Sequence, residues 1–95
     1  MSAYAIFTRD QTLNAKGLAT YFSTVQATLA GHPAKILAAY GNFEDLEGPP
    51  TEGTVILEFP SMKAAHAWYD SPAYREVREH RLRGAVYRAV LVEGL

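Results

Sequence analysis

Hydrophobic and polar residues alternate from Ala3 to Arg9, with Tyr4, Ile6 and Thr8 on one side and Ala5, Phe7 and Arg9 on the other. A two-residue period in a run rich in β-formers predicts a strand with two distinct faces. The period then lengthens. Leu18, Tyr21 or Phe22, Val25 and Leu29 recur at spacings of three and four behind Asn14, a residue suited to cap a helix, until Gly31 and Pro33 end the pattern. Lys35 to Tyr40, with Ile36 and Leu37 ahead of Gly41, and Thr54 to Phe59, dense in β-branched residues, predict two more strands around an acidic loop, Glu44 to Glu52. The breakers Gly48, Pro49, Pro50 and Gly53 place that loop between two halves of the chain.

The second half repeats the order. Pro60 and Ser61 close the third strand and cap a short helix carrying Met62, Ala65, Trp68 and Tyr69, and Ser71 with Pro72 opens another that runs to about Arg83. Gly84 ends it, and Ala85 to Val92 forms a last strand. The order βαββαβ predicts one α+β domain over residues 1–95, a ferredoxin-like sandwich with a four-stranded antiparallel sheet and helices on one face. Both sheet faces carry apolar residues, however: Val55, Leu57 and Phe59 point one way and Ile56 the other, and Val90 to Val92 is apolar on both sides. Helices on one face leave the other to a second subunit. At roughly 25 cal/mol per Å² of apolar surface, several hundred Å² of contact rivals the whole stability of a small domain, so a face-to-face homodimer is expected.

Composition narrows the function classes. The 95 residues include no cysteine, which excludes a disulfide framework, a thiolate metal site and a cysteine nucleophile. Nine Lys and Arg against ten Asp and Glu create no field that would gather nucleic acid or an anionic membrane, so neither is an expected partner. No uncharged stretch approaches the roughly 20 apolar residues of a membrane span. The apolar run Ala3 to Phe7 is too short for a signal peptide, and a cytoplasmic location is expected. His32, His66 and His80 form no ligand pair at helical spacing, and there is no glycine-rich phosphate loop, HExxH or GxSxG, so no metal or cofactor is expected.

The segment LEFPSMKAAHAWYDSPAY, Leu57 to Tyr74, resembles the bacterial family called domain of unknown function 1330, whose hallmark is an EFPS segment followed by AxxWYxSPxY. The resemblance extends to LEG at Leu46 to Gly48 and RAVLVEG at Arg88 to Gly94. It implies a dimeric α+β barrel, in agreement with the doubled sheet argued above. Relatives often place an arginine shortly before the glycine that ends the second strand. This chain has Ala39 there, with Tyr40 before Gly41, so an anion site built on that arginine is not expected.

Glu58 shares strand parity with Ile56, which turns its carboxylate toward the expected dimer interior, with Arg9 and Arg88 as partners on the same sheet. Burial would raise it toward a general base and an arginine would lower it into an ion pair. His66, near neutrality and beside the aromatic pair, is the second acid-base candidate, against the alternative of a solvated helix position. Trp68 and Tyr69 are rotated about 100° apart, so one packs on the sheet and the other lines an edge, as core or as pocket wall. Ser71 reads as a helix cap, and Tyr74 either binds a ligand or plugs the helix junction. Arg75, Arg78, Arg81 and Arg83 alternate with Glu76 and Glu79 as a solvated face; Arg81, seven residues after Tyr74 and on its side, is the candidate carboxylate clamp. The ligand candidates are thus Trp68, Tyr69, Ser71, Tyr74 and Arg81. Three readings follow: a homodimer holding a small organic molecule in an aromatic cleft; a cofactor-independent monooxygenase or isomerase, implied by the wider superfamily, using Glu58, His66, Tyr69 and Arg81; or a non-catalytic structural or regulatory dimer.

Overall fold

The computed structural model describes residues 1–95. Four strands, β1 (Ala3–Thr12), β2 (Lys35–Ala39), β3 (Gly53–Phe59) and β4 (Ala85–Glu93), form one antiparallel sheet in the order β2-β3-β1-β4. Three helices, α1 (Ala15–Thr24), α2 (Met62–Tyr69) and α3 (Pro72–Gly84), give the α+β ferredoxin-like arrangement. No helix is long and apolar enough to cross a membrane.

Local chemistry sets most boundaries. The Asn14 side chain accepts from the amides of Lys16 and Gly17, each at 3.1 Å, and so satisfies two of the donors that a helix start leaves free. Ser61 caps α2 through the Ala64 amide at 3.1 Å, and Ser71 caps α3 through the Tyr74 amide at 3.3 Å, with Pro72 in the first turn. The expected first helix is shorter than its apolar spacing: it gives way after Thr24 to a single tight turn, Gln26–Leu29, before Gly31 turns the chain with φ +81°. The Thr20, Ser23 and Thr24 hydroxyls bond back to helix carbonyls there, a competition that favours an early end. β1 runs three residues further than its alternation predicts because β4 pairs with it through Thr12, across a bulge at Asp10.

One sheet face is packed. Ala5, Phe7, Leu57, Phe59 and Ala85 lie under Leu18, Tyr21, Ala65, Trp68 and Tyr74 of the helices. Trp68 is the centre of this layer: it stacks on Phe59 with ring centres 5.7 Å apart, meets the Phe7 edge at 6.2 Å and lies 4.1 Å from Tyr74, while its indole N–H donates to Thr28 at 3.0 Å. Tyr69, one residue on, is turned away by the helical rotation and carries the Arg78 guanidinium over its ring at 4.7 Å. The other face is bare. Val86, Val90 and Val92 on β4 are 44%, 56% and 46% exposed, and Leu37 at the β2 bulge adds to them.

Gly84 joins the helical layer to the strands. Its carbonyl accepts from the amides of Leu13 and Asn14 at 2.8 and 2.9 Å, and α1 lies so close that a Cβ on Gly84 would sit 2.9 Å from the Leu18 amide nitrogen. Gly84→Ala is therefore expected to lower the free energy of unfolding by about 1–3 kcal/mol, the usual cost of overpacking, as read from urea denaturation. An unchanged midpoint would show that α1 can retreat at no cost.

Candidate functional site

A cavity of about 200 Å³ lies between the packed sheet face and α1, and 12 of its 14 lining residues are hydrophobic. Phe7, Val55, Leu57 and Tyr87 form the floor; Tyr21, Phe22, Val25 and Leu29 form the roof. Ile36, Ala39 and Tyr40 border the β2 side, where the cavity opens to solvent past the exposed Ile36 and Ala39, and Trp68 and Arg81 stand at the side of α2 and α3. The strands supply alternate residues, as a half-buried sheet must, and α1 supplies the three-to-four spacing noted in its sequence.

One end is closed by an unusual row. Gly53 on β3, Arg9 on β1 and Tyr87 on β4 are aligned across the sheet. Tyr40, which follows β2, has a left-handed backbone with φ 55°, and its ring lies over Gly53, where a Cβ would come within 2.6 Å of Cδ1. Only a glycine leaves room for that ring, and Gly53 itself has φ +132°. Tyr40 thereby spans two strands and places its hydroxyl in a hydrogen bond with that of Tyr87. Beneath it the Arg9 guanidinium lies 4.9 Å from the Tyr40 ring centre and 5.7 Å from that of Phe22, and its Nε pairs with Glu52 at 3.1 Å.

Behind the opposite wall the Tyr21 and Tyr74 hydroxyls share a hydrogen bond of 2.9 Å. Arg81 is 3% exposed, with its guanidinium 5.4 Å from the Phe7 ring centre and 5.1 Å from that of Tyr87. Burial, reinforced by Tyr74, pushes the Tyr21 phenol far above its ordinary range. Burial and the hydrogen bond shared with Tyr87 do the same to Tyr40. Tyr74 is raised by burial against the lowering effect of Arg81. These phenols stay neutral, able to exchange hydrogen bonds but not to act as bases near neutrality.

Of the residues singled out from sequence, Trp68 and Arg81 line the cavity. Tyr74 is fully buried behind it, Tyr69 lies beyond Trp68 on the far side of the layer, and Ser71 is occupied as a cap, its hydroxyl donating to the Trp68 carbonyl at 2.7 Å. Glu58 and His66 are not brought to the cavity. Glu58 lies on the bare face, opposite Tyr4 and Lys35. Its expected partners also differ. Arg9 has the opposite parity and pairs with Glu52 on the helix side, whereas Arg88, which does share the bare face, sits four residues along β1 from the Glu58 row, about 13 Å at the rise of a strand. Arg88 pairs with Asp10 at 2.9 Å. His66 is on the solvent side of α2, 3.6 Å from Asp70. The α3 charge run forms no helical ion pair; Arg78 stacks on Tyr69 and Arg81 turns inward. Tyr21, Tyr40, Tyr87 and Arg9 were not apparent as site residues, because their meeting depends on cross-strand register; the one sequence signal is Tyr40 beside Gly41, with Gly53 beyond the loop.

A four-stranded sheet in this order under three helices, with an aromatic cavity between the layers, defines a ferredoxin-like protein. The chain belongs to the family described as domain of unknown function (DUF1330), whose model matches residues 2–95. A protein of unknown function from Rhodopseudomonas palustris superposes with a TM-score of 0.72 at 24% identity, covering 99% of this chain and 82% of that one. A dimeric ferredoxin-like protein of unknown function from Thermobifida fusca gives 0.68 at 16% identity, covering 97% and 90%. SnoaB, a cofactor-independent oxygenase from Streptomyces nogalater, gives 0.65 at 7% identity, covering 99% and 93%. No curated protein matches the sequence.

The neutral phenols carry a pH prediction. Folded-state values raised above the ordinary 10.0 mean that stability from Tyr21, Tyr40 and Tyr74 is complete below about pH 10 and lost as pH rises beyond it. In an alkaline titration followed by ultraviolet absorbance and circular dichroism, part of the absorbance of the six tyrosines is expected to change only as secondary structure is lost. Ionisation of all six in the folded protein would contradict the burial of these hydroxyls.

Proposed function

We propose that the protein is a homodimer that holds a small organic molecule in the cavity between its sheet and α1. The carrying observation is the cavity itself: about 200 Å³ of apolar space walled by aromatic rings, comparable to engineered cavities of roughly 150 Å³ that accept benzene. A cleft walled by so much apolar surface and open on its β2 side gains free energy when an apolar molecule displaces the water in it. Dimerisation is supported by the exposed valine row of β4 and by the dimeric state given for the Thermobifida fusca structure. The expected setting is the cytoplasm.

A second reading, cofactor-independent oxygenase chemistry, is favoured by the structural likeness to SnoaB. It requires a proton acceptor at the cavity. Tyr21 and Tyr40 are held neutral there and Arg81 is charged, so within one protomer the groups suit binding and orientation better than proton abstraction.

Two measurements test the leading reading. Native mass spectrometry of protein purified from its source cells is expected to show a dimer with a reproducible added mass, and Val55→Trp, which fills the cavity floor, is expected to lose that mass while remaining a dimer. Retention of the adduct in Val55→Trp would place the ligand elsewhere. Val90→Asp, on the bare face, is expected to shift the dimer toward monomer by at least about tenfold in Kd, since an unpaired charge must be desolvated there. A variant that remains fully dimeric would remove the face-to-face interface.

A further inference from the structure

Arg81 is the one charged residue that lines the cavity, beside the polar but exposed Gln26, and apolar binding does not explain it. Its side chain is almost wholly buried, it forms no ion pair, and its Nε has no hydrogen-bond partner. The aromatic rings of Phe7 and Tyr87 flank the guanidinium and attract it, yet a ring face returns only part of the hydration lost on burial. Two other cations meet this layer: Arg9 has the Glu52 carboxylate at 3.1 Å, and Arg78, which also has no ion pair, is only half-buried over the Tyr69 ring. No acidic residue lines the cavity, so the chain itself supplies no countercharge to Arg81.

We propose that the countercharge arrives with the ligand: the cavity takes a small monocarboxylate with an aromatic or branched apolar body, its carboxylate on the Arg81 guanidinium and its body against Val25, Leu29, Ile36 and Val55. This rests on the reading of the cavity as a ligand site and adds the class of molecule. The layout of the walls gives the orientation. Arg81 stands over β1 and β4, touching Phe7 and Tyr87, while Ile36 and Ala39 lie on β2 at the opposite edge of the sheet, under the apolar side of α1. The cavity is therefore charged at one end and apolar at the other, as an amphipathic anion requires. A planar guanidinium matches a carboxylate through paired N–H···O bonds, and while the group also meets the Tyr74 hydroxyl, the Arg81 Nε is a donor left without a partner. One positive charge balances one negative charge; a phosphate dianion would bring an unmatched charge into an apolar enclosure. At about 200 Å³ the space suits one ring and a short acid arm.

The test compares three probes of nearly equal shape by isothermal titration calorimetry at neutral pH on the protein freed of co-purified molecules: phenylacetate, phenylacetamide and phenyl phosphate. Phenylacetate is expected to bind at least about tenfold more tightly than phenylacetamide, the usual margin of a charge-assisted hydrogen bond over a neutral one. Phenyl phosphate is expected to bind more weakly than phenylacetate. In Arg81→Gln the preference for the acid over the amide is expected to fall to within about twofold while the amide still binds. Equal affinity for acid and amide in the wild type overturns the carboxylate assignment and leaves the cavity as a neutral-ligand site. Tighter binding of phenyl phosphate overturns the monoanion. If none of the three binds, both this proposal and the reading of the cavity as a ligand site fall. The wild-type comparison stands whether or not Arg81→Gln folds, and Arg81→Lys, which keeps the charge but loses the fork, is expected to retain the acid preference only in part.

Discussion

Trp68 is the side chain on which the two layers agree. Its ring meets β1 through Phe7, β3 through Phe59 and α3 through Tyr74, and its N–H ties the turn after α1 through Thr28. An indole of that size, with its one donor satisfied, sets the spacing between sheet and helices for the whole domain. Where Trp68 fills the space the core is closed. Beyond it, toward β2, the medium-sized Val25, Leu29, Ile36 and Val55 lie between the rings of Phe22 and Tyr40 and that of Trp68, and the cavity is what they leave unfilled. The site is thus a consequence of how the core is propped open, not an addition to it.

Much of the fold could be read along the chain because its determinants are local. Asn14, Ser61, Ser71 and Pro72 start helices with their own side chains, and the alternation in β1 and β3 reports a sheet with one packed face. The rotation between Trp68 and Tyr69 separates core from edge, and the seven-residue step from Tyr74 to Arg81 puts both on the buried side of α3. Features that depend on register were not legible. Glu58 could be assigned a face by parity but not a neighbour, because its row across the sheet is fixed by long-range pairing to β1 and β2. Tyr40 is the clearest case: its left-handed backbone and its reach to Tyr87 require that Gly53, thirteen residues on, present no side chain beneath the ring.

Electrostatically the domain keeps its charges in two settings. On the bare face and rim, Arg88 with Asp10 and Arg9 with Glu52 are conventional pairs, and the hydrogen bond from Thr12 holds the Glu52 carboxylate below its ordinary range. Inside, Tyr21 pairs with Tyr74 and Tyr40 with Tyr87 through their hydroxyls, and the one fully buried guanidinium, Arg81, sits between the Phe7 and Tyr87 rings. Burial opposes its charge, the hydrogen-bonding oxygen of Tyr74 favours it, and Arg81 stays protonated. The interior is therefore a weakly polar, positively biased enclosure that does not titrate near neutrality.

The wall nearest solvent has its own character. β2 is five residues long, exposed along its whole length, bulged at Leu37, and paired on one side only, to β3. It has fewer backbone bonds to lose than any other strand, so it is the segment whose amides should exchange first with solvent and whose transient opening costs least. Because Ile36, Ala39 and the adjoining Tyr40 also wall the cavity, fraying of this one sheet edge reshapes the cavity while the core around Trp68 stays in place.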